Sequence, residues 1–222
     1  MEREDSMRKC MRAMSVVLVL SCMVATVVAA KAAKAAEGQQ AEQLQAVAIA
    51  KAKAEAAVNV VSPAADGVKS GYSVLYGDTQ DVYSKAIQSL QKIINDESAK
   101  PAADQNAALL QKAKEQAALI ADELGKYTGK VYPLLASRQS EARSSADSVG
   151  MVFNALSSLE IHWKNGKVDM AALKTAYEAV EKGAQELTEV LKTILAEHQQ
   201  ELKKGQALAA EARAAVATQP AK

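Results

Sequence analysis

Between residues 110 and 134 the chain repeats small or apolar side chains at steps of three and four without a miss. The series is Leu110, Ala113, Ala117, Ile120, Leu124, Tyr127, Val131 and Leu134. Residues so spaced fall on one stripe of an α-helix, and a stripe this narrow must be covered by other helices. The same spacing cannot serve a strand, whose faces alternate every second residue. It recurs before and after this stretch. Val68, Tyr72, Leu75, Thr79, Val82, Ala86, Leu90 and Ile93 precede it, and Val149, Val152, Leu156, Leu159 and Trp163 extend it. The last series is Leu173, Tyr177, Val180, Ala184, Leu187, Leu191, Ile194, His198, Leu202, Gly205 and Ala209. About a fifth of the 222 residues are Ala, only 4% are aromatic, and there are 10 Gly and 4 Pro. That balance favours long helices of high intrinsic propensity.

Turn signals divide the helical pattern. Ser98-Ala99-Lys100-Pro101 and Asn165-Gly166 are the clearest, and Asp169 is suited to cap the helix after the second. Ser62-Pro63 predicts a break or kink, because Ser caps well and Pro is tolerated at a first helical position. Pro133 also lies inside the repeat. The carbonyl it would clash with belongs to Gly129, so a kinked but continuous helix is expected there. Three arms result, over residues 31–96 (interrupted near 62), 101–163 and 169–216, followed by a polar, fraying tail at 217–222. Short connections make neighbouring arms antiparallel. The expected fold is all-α, an elongated antiparallel three-helix bundle with coiled-coil-like packing.

Residues 1–30 read as a secretory signal rather than as part of the bundle. Arg8, Lys9 and Arg12 precede a nearly apolar run from Met14 to Val28, and Val28 and Ala30 satisfy the small-residue rule for cleavage after Ala30. Both cysteines, Cys10 and Cys22, fall inside this segment, so the processed chain would carry no disulfide. Val19-Leu20-Ser21-Cys22 permits a second reading, a bacterial lipoprotein box with Cys22 as the acylated N-terminus. Removing residues 1–30 leaves 23 basic and 23 acidic side chains. A neutral chain lacks the electrostatic footprint of a nucleic-acid binder.

Catalytic signatures are sparse. His162 and His198 are the two histidines, and His198 occupies a seam position with Glu197 and Glu201 nearby. Without a Glu-x-x-His pair or a processed-chain cysteine, a zinc or iron site lacks ligands. No Gly-rich phosphate loop occurs, and the serines at 137, 140, 144, 145 and 148 belong to no recognisable triad. Neither an enzyme nor a cofactor is expected. Two groups of residues could bind a partner. Tyr72, Tyr76, Tyr83, Tyr127 and Tyr132 cluster on two facing arms, and Phe153 and Trp163 collect toward one end of the bundle. Tyrosine offers area with a polar tip, which suits both recognition surfaces and the edge of a narrow core.

A basic–apolar leader, an alanine-rich cysteine-free body and three long helical arms form a combination that resembles the alanine-rich surface proteins of trypanosome insect stages. These are the brucei alanine-rich protein and the glutamic acid/alanine-rich protein. The resemblance spans about residues 31–217 and rests on composition and architecture. It implies a non-enzymatic coat of helical bundles on a cell surface, reached through the secretory pathway. Members of that family end in a hydrophobic tail for a glycosylphosphatidylinositol anchor, whereas this sequence ends Ala217-Thr218-Gln219-Pro220-Ala221-Lys222. Membrane attachment would therefore come through an anchor not visible in this chain. The expected partners are neighbouring surface proteins or an unknown protein ligand, and nucleic acid is not among them. The alternatives are a receptor or adhesin using the Tyr belt or the Trp163 tip, and a bacterial lipoprotein or periplasmic helical adaptor. An amphipathic lipid binder would need a broader apolar face than the first arm offers.

Overall fold

The computed structural model describes residues 37–163 and 169–218, and every regular element among them is helical. Helix α1 spans Glu37–Ser98 and α2 spans Ala107–Lys126. A π-helical turn, Tyr127–Val131, joins α2 to α3, Tyr132–Trp163, and α4 runs Met170–Ala217. The leader with Ala30 and Cys22, the Asn165-Gly166 turn and residues 219–222 lie outside the described residues.

The helices divide into two compact units. The described residues of the first are 37–69, 138–163 and 169–193. Its core is built largely from small side chains: Ala50, Ala54 and Ala65 of α1, Ala142 and Ala146 of α3, and Ala176 and Ala184 of α4. Short side chains let helix axes approach toward the lower end of the usual range of about 8–10 Å. Leu173, Tyr177, Leu187 and Leu191 of α4 supply the bulk between them. A cross-helix ion pair joins Arg143 of α3 to Asp66 of α1. Arg143 also meets Asp147 at 3.4 Å. Such exposed pairs add little stability, and they serve better to mark α1 and α3 as neighbours.

Helix α1 does not break at Ser62-Pro63. It continues through Pro63 as a single helix. The proline removes a hydrogen bond to the carbonyl of Asn59, and Asn59, Ser62 and Pro63 all face solvent, where water can satisfy that carbonyl. Val61 and Ala65, on either side, are fully covered in the core. Burial of the inward face therefore overrides the local breaker. An interior proline costs about 3 kcal/mol relative to Ala. Pro63→Ala should accordingly stabilise the protein by about 2–3 kcal/mol in denaturant titration. A helix that truly started at Pro63 would show little or no gain.

The second unit contains residues 70–137 and 194–222, described to 218. Tyr83, Ala86 and Leu90 of α1 pack with Ala113 and Ile120 of α2 and with Ala209, Ala212 and Val216 of α4. Tyr83, not the neighbouring Val82 of the expected stripe, is the deeply buried residue, and Val82 packs at the margin. Pairings of Tyr72 with Tyr132, Tyr76 with Tyr127, and Glu97 with Asn106 show α1 antiparallel to the middle arm. Tyr72 against His198 and Tyr83 against Gly205 show α1 parallel to α4. This is the up-down-up order of a three-helix bundle.

The first connection is built around a buried carboxylate. Glu97 accepts hydrogen bonds from Lys100 Nζ and from the backbone N–H of Asn106, the latter at 3.0 Å. The Lys100 ammonium first, and then the Asn106 amide, hold the Glu97 carboxyl below the usual carboxylate range. Pro101 does not begin the second arm as expected. Its carbonyl accepts from Asp104 N–H in a turn, and Asn106 caps α2 by accepting from Leu109 N–H at 3.1 Å. Asp169 caps α4 as the sequence indicated, with Oδ1 accepting from Ala171 N–H at 2.9 Å.

Candidate functional site: an aromatic cluster at a π-helical turn

The middle arm is continuous past Pro133, but its register is not the one the three–four repeat implies. In the π turn the N–H of Tyr132 donates to the carbonyl of Tyr127, five residues back instead of four. One extra residue is thereby fitted into the helix. Local chemistry favours this place. Gly125 and Gly129 are poor helix formers, Thr128 Oγ1 donates to the Leu124 carbonyl at 2.9 Å, and Pro133 has no N–H to give. Upstream, Ala113, Ile120 and Tyr127 are buried at seven-residue steps. The next step is eight residues, to Leu135, and sevens resume with Ala142, Val149 and Leu156. Leu134, the expected seam residue, is instead 43% exposed, while Leu135 is 3% exposed. The inserted residue turns the downstream helix by about 100°, which exchanges these two leucines.

The same turn brings Tyr127 and Tyr132 onto one face, since an i to i+5 pair is aligned by a π turn as i to i+4 is by an α turn. Their ring centroids are 6.4 Å apart. Tyr76 of α1 lies 3.8 Å from Tyr132 and 6.1 Å from Tyr127, and Tyr72 stacks on Tyr132 at 5.0 Å. His198 of α4 meets Tyr72 at 4.5 Å, with the rings nearly perpendicular. Aromatic pairs in such arrangements contribute about 0.5–1.5 kcal/mol each beyond their buried area. Tyr72, Tyr127 and His198 are buried, whereas Tyr76 and Tyr132 are half-buried.

Polar tips decide the chemistry of the cluster. Gln80 Nε2 donates to the Tyr76 hydroxyl at 2.7 Å. The Tyr72 hydroxyl points toward that of Tyr132 and the Tyr127 hydroxyl toward Thr79, but neither reaches full hydrogen-bond geometry. Burial, reinforced by Tyr132, raises the Tyr72 phenol far above its ordinary value. Burial likewise raises Tyr127, against a smaller opposing effect of Thr79. These two phenols remain neutral. Thr79 itself donates to the Leu75 carbonyl at 2.6 Å.

Of the residues singled out from sequence, Tyr72, Tyr76, Tyr127 and Tyr132 come together. Tyr83 stands apart, buried against Gly205. Phe153 belongs to the first unit, where its ring lies 6.0 Å from that of Tyr177. Trp163 closes α3, but its side chain and that of His162 lie outside the described residues. The part of His198 in this cluster escaped sequence reading, which placed it on a seam without a ring to face. Among the described residues no group of three or more His, Cys, Asp or Glu side chains is arranged to hold a metal ion. Nor is any described helix long and apolar enough to cross a membrane. Comparison with protein-family models, with curated proteins and with solved structures found no match to this chain.

Proposed function

We propose that the protein is a structural, shielding component of a cell surface, as its resemblance to the alanine-rich surface proteins of trypanosome insect stages implies. One observation carries the reading: the outward faces of the bundles are laced with short-range pairs of opposite charge. Lys85–Asp81, Lys92–Asp96, Lys126–Asp122, Lys174–Glu178 and Lys192–Glu189 are all exposed pairs one helical turn apart. Such faces are neutral over a few ångströms, so they neither steer a charged partner nor repel a neighbouring copy at close packing. The tyrosines that could serve a receptor are mostly turned inward, which favours shielding over ligand capture.

The test is labelling of intact producing cells with a membrane-impermeant amine reagent, followed by mass spectrometry of the labelled and unlabelled pools. Expected results are labelling on exposed lysines such as Lys92 and Lys192 and a processed N-terminus near Lys31. Recovery of the protein only from the unlabelled interior would overturn the reading. Release by a phospholipase that cleaves glycosylphosphatidylinositol anchors would identify how it is held.

A further inference from the structure

We propose that Tyr76 and Tyr132 form a site of oxidative cross-linking, at which a carbon–carbon bond joins α1 to the start of α3 as dityrosine. Their ring centroids are 3.8 Å apart with planes inclined by 32°, the closest approach in the aromatic cluster. Both rings are half-buried and so keep part of their surface open to solvent, where an oxidant can draw an electron from them, while the backbone on each side is held in helix. Tyr72 and Tyr127 are buried and lie 5.0 and 6.4 Å from Tyr132, near enough to exchange an electron with it but shielded from coupling partners outside the cluster. The only cysteines are Cys10 and Cys22, so the folded segments carry no thiol that would be oxidised first.

The oxidant required is hydrogen peroxide acting through a haem peroxidase. Each phenol gives up one hydrogen atom, and the peroxide, taking both, is reduced to two molecules of water. The two tyrosyl radicals couple through the ring carbons beside their hydroxyls. The hydrogens displaced from those carbons then move to the phenolic oxygens, which restores both aromatic rings. The product is lighter than its parts by two hydrogen atoms. Proximity governs the outcome, because coupling of two held radicals is effectively unimolecular. This inference does not depend on where the protein acts.

Trypsin separates the partners cleanly. Residues 70–85 hold Tyr72, Tyr76 and Tyr83, whereas residues 131–138 hold Tyr132 alone. The full-length chain treated with peroxidase and peroxide should yield a peptide joining these two segments, with violet dityrosine fluorescence. That product should vanish in Tyr76→Phe and in Tyr132→Phe and persist in Tyr72→Phe and Tyr83→Phe. In denaturing urea its yield should fall on the order of tenfold, since the pair is no longer held together. Retention of the product in Tyr76→Phe, equal yield in urea, or cross-links formed only between separate molecules would each overturn the proposal. Phenylalanine preserves the ring packing, and circular dichroism of each variant checks that its helices remain.

Discussion

Deletion of Gly129 should leave the protein folded, and deletion of Ala118 should not. Both residues are exposed and neither contributes a core contact, so composition alone would rank the two deletions as equivalent. The difference lies in register. Removing Gly129 shortens the eight-residue step between Tyr127 and Leu135 to seven, and the π turn can close into an ordinary α turn. Leu135 then stays inward, in phase with Tyr127, Ile120 and Ala113. Stability should change by no more than about 1 kcal/mol, the size of the propensity of a single glycine. Removing Ala118 instead turns everything before it by about 100° against everything after it. Ala113 and Ile120, both fully buried, can no longer face the core together. Losing the burial of Ile120 alone costs about 2–5 kcal/mol, a large part of the whole stability of a typical domain. Thermal melts followed by circular dichroism distinguish the two. If the Gly129 deletion proves as damaging as the Ala118 deletion, the π turn is not a one-residue insertion in an otherwise seven-residue repeat.

That turn also shows where a sequence of this kind stops being readable. The repeat identifies the helices because burial at three–four spacing is the dominant signal in a narrow bundle, and along α4 nearly every expected seam residue is buried, with Leu202 only partly so. Leu134 and Leu135 are adjacent and identical, however, so apolar spacing gives two acceptable seams. What chooses between them is a backbone hydrogen-bond shift at Tyr127–Val131 that leaves no hydrophobic trace. Val82 and Tyr83 present the same ambiguity, and there the larger ring wins because α4 offers it space. Pro63 fails in the opposite sense. A strong local signal for a helix start is overridden by Val61 and Ala65 on the buried face. The aromatic cluster was legible as a group of tyrosines on facing arms, but its membership depended on this register. Tyr83 belongs elsewhere, and His198 belongs within it.

The space that receives Tyr83 is Gly205, and this pairing should be the most strongly coupled in the second unit. A Cβ at position 205 would lie 3.2 Å from Cε2 and Cζ of the Tyr83 ring, which is 1% exposed and has little room to retreat. For Gly205→Ala the gain in helix propensity, about 1 kcal/mol, should be largely cancelled by that crowding. Gly205→Leu gains nearly as much propensity but places far more volume against the ring, and should lose about 1–3 kcal/mol or more to overpacking. Tyr83→Ala should lose about 3–5 kcal/mol, the range for emptying an aromatic site. The double variant is the informative one. A leucine at 205 can occupy the volume the ring vacates, so the combined loss should fall short of the sum of the single losses by about 0.5–3 kcal/mol. Denaturant titration of the parent, the two single variants and the double variant measures this term. Strict additivity would mean that ring and glycine do not share one space, and that the glycine is tolerated in α4 rather than required by the approach of α1.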